Sequence, residues 1–249
     1  MIEQHVDIQT ADGTMNTFVS HPTDDGPHPV VLFYMDAPGK REELHEMARR
    51  ISSTGYYVML PNLYYRRAKG FVVVRDDPAS VAEMRDHMAS LSNADVVADT
   101  AALLAHAEGD PAADAQRVGC VGYCMSGPFA LAVAAAYPER VAAAASIYGV
   151  RLATDAPDSP HSQFDRVRGE LYIACAEHDD HAPPEMIAQV QAALASSGAQ
   201  GRVEWYPGTY HGFAFPQRPV YDRAAAERHW ERLHSLFARC LAGAPTMAG

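Results

Sequence analysis

Gly119-Cys120-Val121-Gly122-Tyr123-Cys124-Met125-Ser126-Gly127 is the stretch on which the reading of this chain turns. Arg117 to Tyr123 reads as a strand and Met125 to Tyr137 as a small-residue helix, so the stretch spans a strand-to-helix junction. Within it, Gly122-Tyr123-Cys124-Met125-Ser126 has the form small-x-nucleophile-x-small. A turn that lifts a nucleophile out of a sheet holds it in strained backbone, and bulky residues two positions to either side would collide. A helix N-terminus also brings N–H groups and positive partial charge beside the sulfur, which favours the thiolate. The competing reading is a buried thiol at an ordinary tight turn. Ser126 is a rival nucleophile, but its frame needs small residues at 124 and 128, and Pro128 does not suit it.

On either side of this junction the pattern alternates strand and helix. Val30 to Met35 is a continuous apolar, β-branched run, as in a strand covered on both faces. Leu44, Met47, Ala48 and Ile51 recur at helical spacing before Gly55, and Tyr57 to Leu60 reads as a strand ended by Pro61. Residues 62–94 are less regular. Val96, Val97, Thr100, Leu103 and Leu104 restore a helical stripe, followed by strands at Val141 to Ile147 and Leu171 to Ala176. A helix opens at Pro183-Pro184, a strand runs from Arg202 to Tyr206, and a last helix over 220–240 carries Trp230, Leu233 and Phe237 on one face. Val6 to Ile8 and Met15 to Ser20, joined through Ala11-Asp12-Gly13, form an antiparallel hairpin. A hairpin feeding repeated βα units predicts one α/β domain over 1–249, with a mostly parallel sheet and helices on both faces.

Composition narrows the function. With 20 Lys+Arg against 31 Asp+Glu, the net charge is −11, which disfavours a nucleic-acid binder and an anionic membrane surface. The apolar stretch Phe129 to Tyr137 is far short of the ~20 residues that span a bilayer. The first residues lack a basic segment followed by an apolar run, so a cytoplasmic location is expected. Four cysteines without a CxxC pair make no disulfide framework. The expected partner is a small-molecule substrate, and the expected assembly a monomer or small homo-oligomer.

A thiol nucleophile needs a base, and the base an orienting group. His211 lies in the Gly-flanked stretch Tyr206-Pro207-Gly208-Thr209-Tyr210-His211-Gly212-Phe213 after the last strand. Asp179 lies in Ala176-Glu177-His178-Asp179-Asp180-His181-Ala182-Pro183 after the strand at 171–176. Ends of parallel strands are where α/β sheets place their sites. The order Cys124, Asp179, His211 is the nucleophile–acid–base order of α/β-hydrolases.

The chain resembles the dienelactone hydrolase family of α/β-hydrolases from the N-terminal hairpin to the last helix. The resemblance is carried by Tyr34-Met35-Asp36-Ala37-Pro38-Gly39, by Gly55-Tyr56-Tyr57-Val58-Met59-Leu60-Pro61-Asn62-Leu63-Tyr64, by Gly122 to Gly127, and by Tyr210-His211-Gly212-Phe213. It implies Cys124 as nucleophile, His211 as base and Asp179, rather than Asp180, as the acid that orients it. It also implies an oxyanion hole from the backbone N–H groups of Met125 and Ala37, and no cofactor. Two departures stand out. The family's glutamate that helps deprotonate the cysteine is matched by Asp36, shorter by one methylene. The family's arginine four residues after the histidine is matched by Phe215, which favours an uncharged acyl or lactone group. Arg75 and Arg85 are candidates to replace the other substrate arginine. Tyr64, Tyr148 and Phe215 are candidate substrate-binding residues, although each tyrosine suits a core position equally well.

The expected activity is therefore cysteine-dependent hydrolysis of small esters or lactones through a thioester, with a substrate preference different from dienelactone. Two alternatives share the cysteine: the same triad acting on another electrophile such as a phosphotriester, and a redox-sensing thiol protein that hydrolyses nothing. A sensor has no use for an Asp–His pair in the right order. A metal site at His178-Asp179-Asp180-His181, with His161 upstream, is the remaining rival; the cluster sits in a loop without a further ligand pair, and no metal is expected.

Overall fold

The computed structural model describes residues 1–24 and 26–241. Among these residues eight strands form one sheet: β1 (Ile2–Thr10), β2 (Gly13–His21), β3 (His28–Tyr34), β4 (Tyr57–Pro61), β5 (Ala113–Tyr123), β6 (Val141–Ile147), β7 (Glu170–His178) and β8 (Gly201–Tyr210). Their order across the sheet is β1-β2-β4-β3-β5-β6-β7-β8. The β1–β2 hairpin is antiparallel and β2 pairs antiparallel with β4, while every pairing from β4 to β8 is parallel. Among the described residues the six α-helices are α1 (Glu42–Ser52), α2 (Pro78–Ala89), α3 (Asn93–Glu108), α4 (Gly127–Ala136), α5 (Pro184–Ser197) and α6 (Arg223–Leu241).

Neighbouring positions on a strand point to opposite faces, and β5 shows what covers each. Gly119 faces Phe237 and Leu241 of α6. On the other face, the Tyr34 hydroxyl at the end of β3 meets Thr100 Oγ1 of α3 at 2.8 Å. α1 and α6 share the first face, joined by the Arg50–Glu227 ion pair and by the Arg50 guanidinium over Trp230. α4 packs with α3 on the second face, and it is buried from Gly127 through Ala135. A helix apolar all round belongs in the centre of a core, and this one begins just after the turn at Cys124.

The expected stripes Leu44, Met47, Ala48, Ile51 and Trp230, Leu233, Phe237 are buried. Three differences from the sequence reading bear on the site. The helix expected from Met125 begins instead at Gly127, after a 3-10 turn over Cys124–Ser126. β8 runs on to Tyr210, so His211 follows a strand end directly rather than a loop. The irregular region 62–94 contains α2, whose only fully buried residue is His87; without an apolar stripe it left no periodic signal. Its start is fixed by Asp77, which accepts from Ala79 N, and by Pro78 in the first turn.

The segment leading into α2 is strapped over the loop that follows β3. Val73 N donates to Pro38 O at 3.0 Å. Gly39, at φ +97, lies so close to Phe71 that a Cβ there would stand 2.9 Å from the Phe71 carbonyl carbon and nearer its oxygen. Only glycine fits that approach. Among the described residues, no helix is long and apolar enough to cross a membrane.

Candidate active site

Cys124 sits in left-handed backbone, φ 54, between β5 and α4. For a side chain with a Cβ this conformation is strained, and it persists only where the surroundings impose it. The surroundings here do so through three ties. Ser126 Oγ accepts from Tyr123 N at 3.0 Å and donates to Tyr34 O at 2.9 Å, pinning the turn to the end of β3. Cys124 O accepts from Val150 N at 3.1 Å, pinning it to the segment after β6. Gly122 packs against Ser126, where a Cβ would stand 2.5 Å from the carbonyl carbon. The small residues two positions either side of Cys124 are thus required by contact with each other. Ser126 itself is fully buried, its hydroxyl committed to this turn.

His211 and Asp179 come together from the ends of adjacent strands. His211 Nδ1 lies 2.7 Å from Asp179 Oδ2, and the other carboxylate oxygen accepts from His181 N at 2.9 Å. Asp180 is exposed. The His211 ring packs edge-on against Tyr148 and His181. Burial works against a charged imidazole, but the hydrogen bond to Asp179 and the neighbouring Cys124 sulfur outweigh it, and His211 is pushed up to about 9. With Nδ1 taken by Asp179, it is the buried Nε2, without a formal hydrogen-bond partner, that is left for Cys124.

Asp36 lies at the end of β3, fully buried. Both its oxygens are held by Arg41, at 2.6 and 3.3 Å. The same guanidinium holds Glu43 Oε2 at 2.5 Å, and Glu43 Oε1 accepts from Gln217 N at 3.0 Å. Burial pushes the Asp36 carboxyl up, against the pull of Arg41 and Arg218. Among the described residues no hydrogen bond joins Asp36 to Cys124. Ala37, next in sequence, is buried, and its N–H has no protein acceptor among the described residues. Backbone N–H groups in folded chains are nearly always paired, so this one stands out as a donor free for a ligand oxygen.

The three aromatic candidates are all buried. The Tyr64 hydroxyl donates to Ala37 O at 2.9 Å. Tyr148 has a buried hydroxyl with no partner and a backbone φ of 38. Phe215 is wedged between Tyr123 and Tyr148 with the Arg41 guanidinium over its ring, so it presents no free surface. The cation that position 215 lacks lies three residues further on. Arg218 packs its guanidinium against Gly212, where a Cβ would be 3.0 Å from Cζ. Arg75 is within reach of the same group: burial, then repulsion from Arg218 and Arg41, lowers its pKa. Arg85 is exposed. Three arginines (41, 75 and 218) therefore surround two carboxylates, and neither Arg75 nor Arg218 has an ion-pair partner among the described residues. Arg41, Glu43 and Arg218 escaped the sequence reading. Only Arg41 left a signal, as a cation five positions after a buried acid.

Comparison with known proteins places these observations in a family. A family profile described as "Dienelactone hydrolase family" matches residues 15–241. A Synechocystis sp. protein provisionally named carboxymethylenebutenolidase is 28% identical over 223 residues, spanning 88% of this chain and 89% of that protein. The carboxymethylenebutenolidase of Rhodococcus opacus is 27% identical over 225 residues, spanning 88% and 84%. Among solved structures, a Klebsiella pneumoniae protein provisionally named dienelactone hydrolase superposes with a TM-score of 0.85 at 24% identity, covering 96% of this chain and 98% of that one.

Proposed function

The chain belongs to the dienelactone hydrolase family, and on that premise we propose that it hydrolyses small esters or lactones through a Cys124–His211–Asp179 triad. One observation carries the reading: a cysteine in left-handed backbone at a strand-to-helix elbow, with a hydrogen-bonded His–Asp pair beside it.

In the proposed mechanism the Cys124 thiolate attacks the carbonyl carbon, and the carbonyl electron pair moves to oxygen. The backbone N–H groups of Met125 and Ala37 receive that oxyanion; one such donor supplies about 3 kcal/mol of transition-state stabilisation. As the intermediate collapses, the C–O bond to the leaving alkoxide breaks and the His211 imidazolium gives it a proton, leaving a thioester. Neutral His211 then takes a proton from water, whose oxygen attacks the thioester carbon. Collapse releases the acid and returns thiolate beside imidazolium. Asp179 holds the tautomer with Nε2 toward the reacting atoms. Asp36 acts on this cycle as a buried charge held by Arg41.

A second reading, of a substrate bearing a carboxylate, is favoured by the excess of three arginines over two carboxylates, with Arg75 and Arg218 outside any ion pair among the described residues. Arg218 beside Gly212 and Arg75 can neutralise such a group although Phe215 cannot. The test compares wild type with Cys124→Ala on an aryl acetate, an uncharged lactone, dienelactone and an aryl phosphotriester. Turnover of an ester or lactone by the wild type alone supports the triad, and preference for dienelactone supports the carboxylate reading. Equal turnover by both proteins overturns the cysteine mechanism. Turnover of the phosphotriester alone changes the electrophile, and no turnover at all favours a thiol that senses oxidants.

A further inference from the structure

We propose that Tyr64 is a positioning residue that sets the oxyanion hole by tying its two halves together. The inference rests on the hydrolase reading above but concerns a residue outside the triad. The two N–H donors come from segments far apart in sequence: Ala37 follows β3, and Met125 follows β5. A single hydroxyl spans them. Tyr64 Oη donates to Ala37 O at 2.9 Å and has Met125 Sδ as a second, weaker acceptor at 3.3 Å.

The peptides flanking Ala37 are both held. On the near side, Asp36 O accepts from Gly39 N at 3.2 Å, which turns the trans-related Ala37 N–H away from that turn. On the far side the Ala37 carbonyl is held by Tyr64, and Pro38 restricts Ala37 to extended backbone. Without the hydroxyl, the far peptide loses its partner and the N–H at 37 loses its fixed direction. The geometry needed at an oxyanion is narrow, because donors must lie within about 3 Å of where the charge develops.

Tyr64 is itself built to stay still. Asn62 Oδ1 accepts from Tyr64 N at 3.1 Å, and Tyr64 O accepts from both Arg67 N and Ala68 N at 2.8 Å. The ring of His87, from α2, stacks on it at 4.9 Å, with Phe71 edge-on at 6.0 Å. Neither ring nitrogen of His87 makes a formal hydrogen bond, with Nε2 3.4 Å from Glu83 Oε1, and what the ring supplies to Tyr64 is stacking. Burial, with Asp36 and Cys124 nearby, keeps the hydroxyl protonated and therefore a donor.

The experiment uses Tyr64→Phe in the full chain with an aryl acetate, alongside the rate at which iodoacetamide alkylates Cys124, read by mass of the Cys124 peptide. Alkylation at a saturated carbon forms no oxyanion, so it reports the nucleophile without the hole. The expected result is a kcat lowered about 10- to 100-fold, a part of the 10²–10³ that a lost donor costs. KM stays within about threefold and alkylation within about twofold of wild type. Met125→Leu, which removes only the sulfur acceptor, lowers kcat about two- to fivefold. A Tyr64→Phe kcat within twofold of wild type overturns the proposal. So does an equal fall in alkylation, which would mean that the elbow itself had collapsed. If wild-type protein is alkylated but hydrolyses no ester or lactone, the hydrolase reading fails and this inference falls with it.

Discussion

Replacing Gly122 by alanine adds one carbon at the most crowded point of the elbow. That carbon would stand 2.5 Å from the Ser126 carbonyl carbon, nearer still to its oxygen, and 3.0 Å from Gly127 N, where ordinary contact begins at 3.4 Å. All three are backbone atoms, so no side chain can swing aside, and roughly 1 Å must come from opening the turn. Opening it stretches the Ser126 hydroxyl's bonds to Tyr123 N and Tyr34 O. Overpacking at about 1–3 kcal/mol and a weakened buried hydrogen bond at about 1 kcal/mol together give a loss of about 3 kcal/mol. A nucleophile misplaced by about 1 Å costs about 10²-fold in rate. Urea unfolding followed by tryptophan fluorescence, with aryl acetate hydrolysis, reads both. Gly109→Ala is the control, since its nearest new contacts are 3.5 and 3.8 Å, and it should shift stability by less than about 0.5 kcal/mol. Wild-type stability and rate in Gly122→Ala would refute the packing account of the small-x-Cys-x-small pattern.

Raised from 6.5 to about 9, His211 binds its proton more tightly folded than unfolded. Its contribution to stability is therefore complete below pH 6.5 and is lost as pH rises through about 9, for about 3 kcal/mol in all. Asp179→Asn should remove most of that decline, which urea midpoints across pH 6 to 10 will show. Arg41→Met leaves the Asp36 and Glu43 carboxylates buried without their shared cation and should destabilise by about 3–5 kcal/mol, measured by thermal and urea unfolding; an unchanged midpoint would refute the structural role given to this cation. Gly119→Ala sets a Cβ 2.8 Å from Phe237 Cε1 and 3.0 Å from a Leu241 methyl, both movable side-chain atoms. It should cost about 1–2 kcal/mol and leave ester hydrolysis at the wild-type rate.

What could be read from the chain alone was whatever a local period or a tight turn imposes. The run Val30 to Met35 and the stripe Leu44, Met47, Ala48, Ile51 announce their elements because burial selects them position by position. The elbow announces itself because Gly122 and Ser126 must both be small. α2 stayed hidden because it buries one residue, His87, and that residue is polar. The convergence of Arg41 and Arg218 on Arg75, itself a candidate from sequence, stayed hidden for another reason: the three come from separate segments, and no spacing in sequence encodes that. Phe215 shows the hazard of reading charge position by position. Its ring is core, and Arg218 stands near the site instead.

The strap that joins Phe71 and Val73 to Pro38 and Gly39 has a consequence for how this scaffold can diversify. The segment that runs into α2 carries the exposed Val72 and Val74, together with Arg75, whose side chains can vary without disturbing the core. Yet its backbone leans on the loop that carries Ala37. Exchanging that segment for one of another length would displace the loop that carries Ala37 in the same event. Recruitment to new substrates should therefore favour point changes at outward positions 72, 74 and 75 over loop grafts.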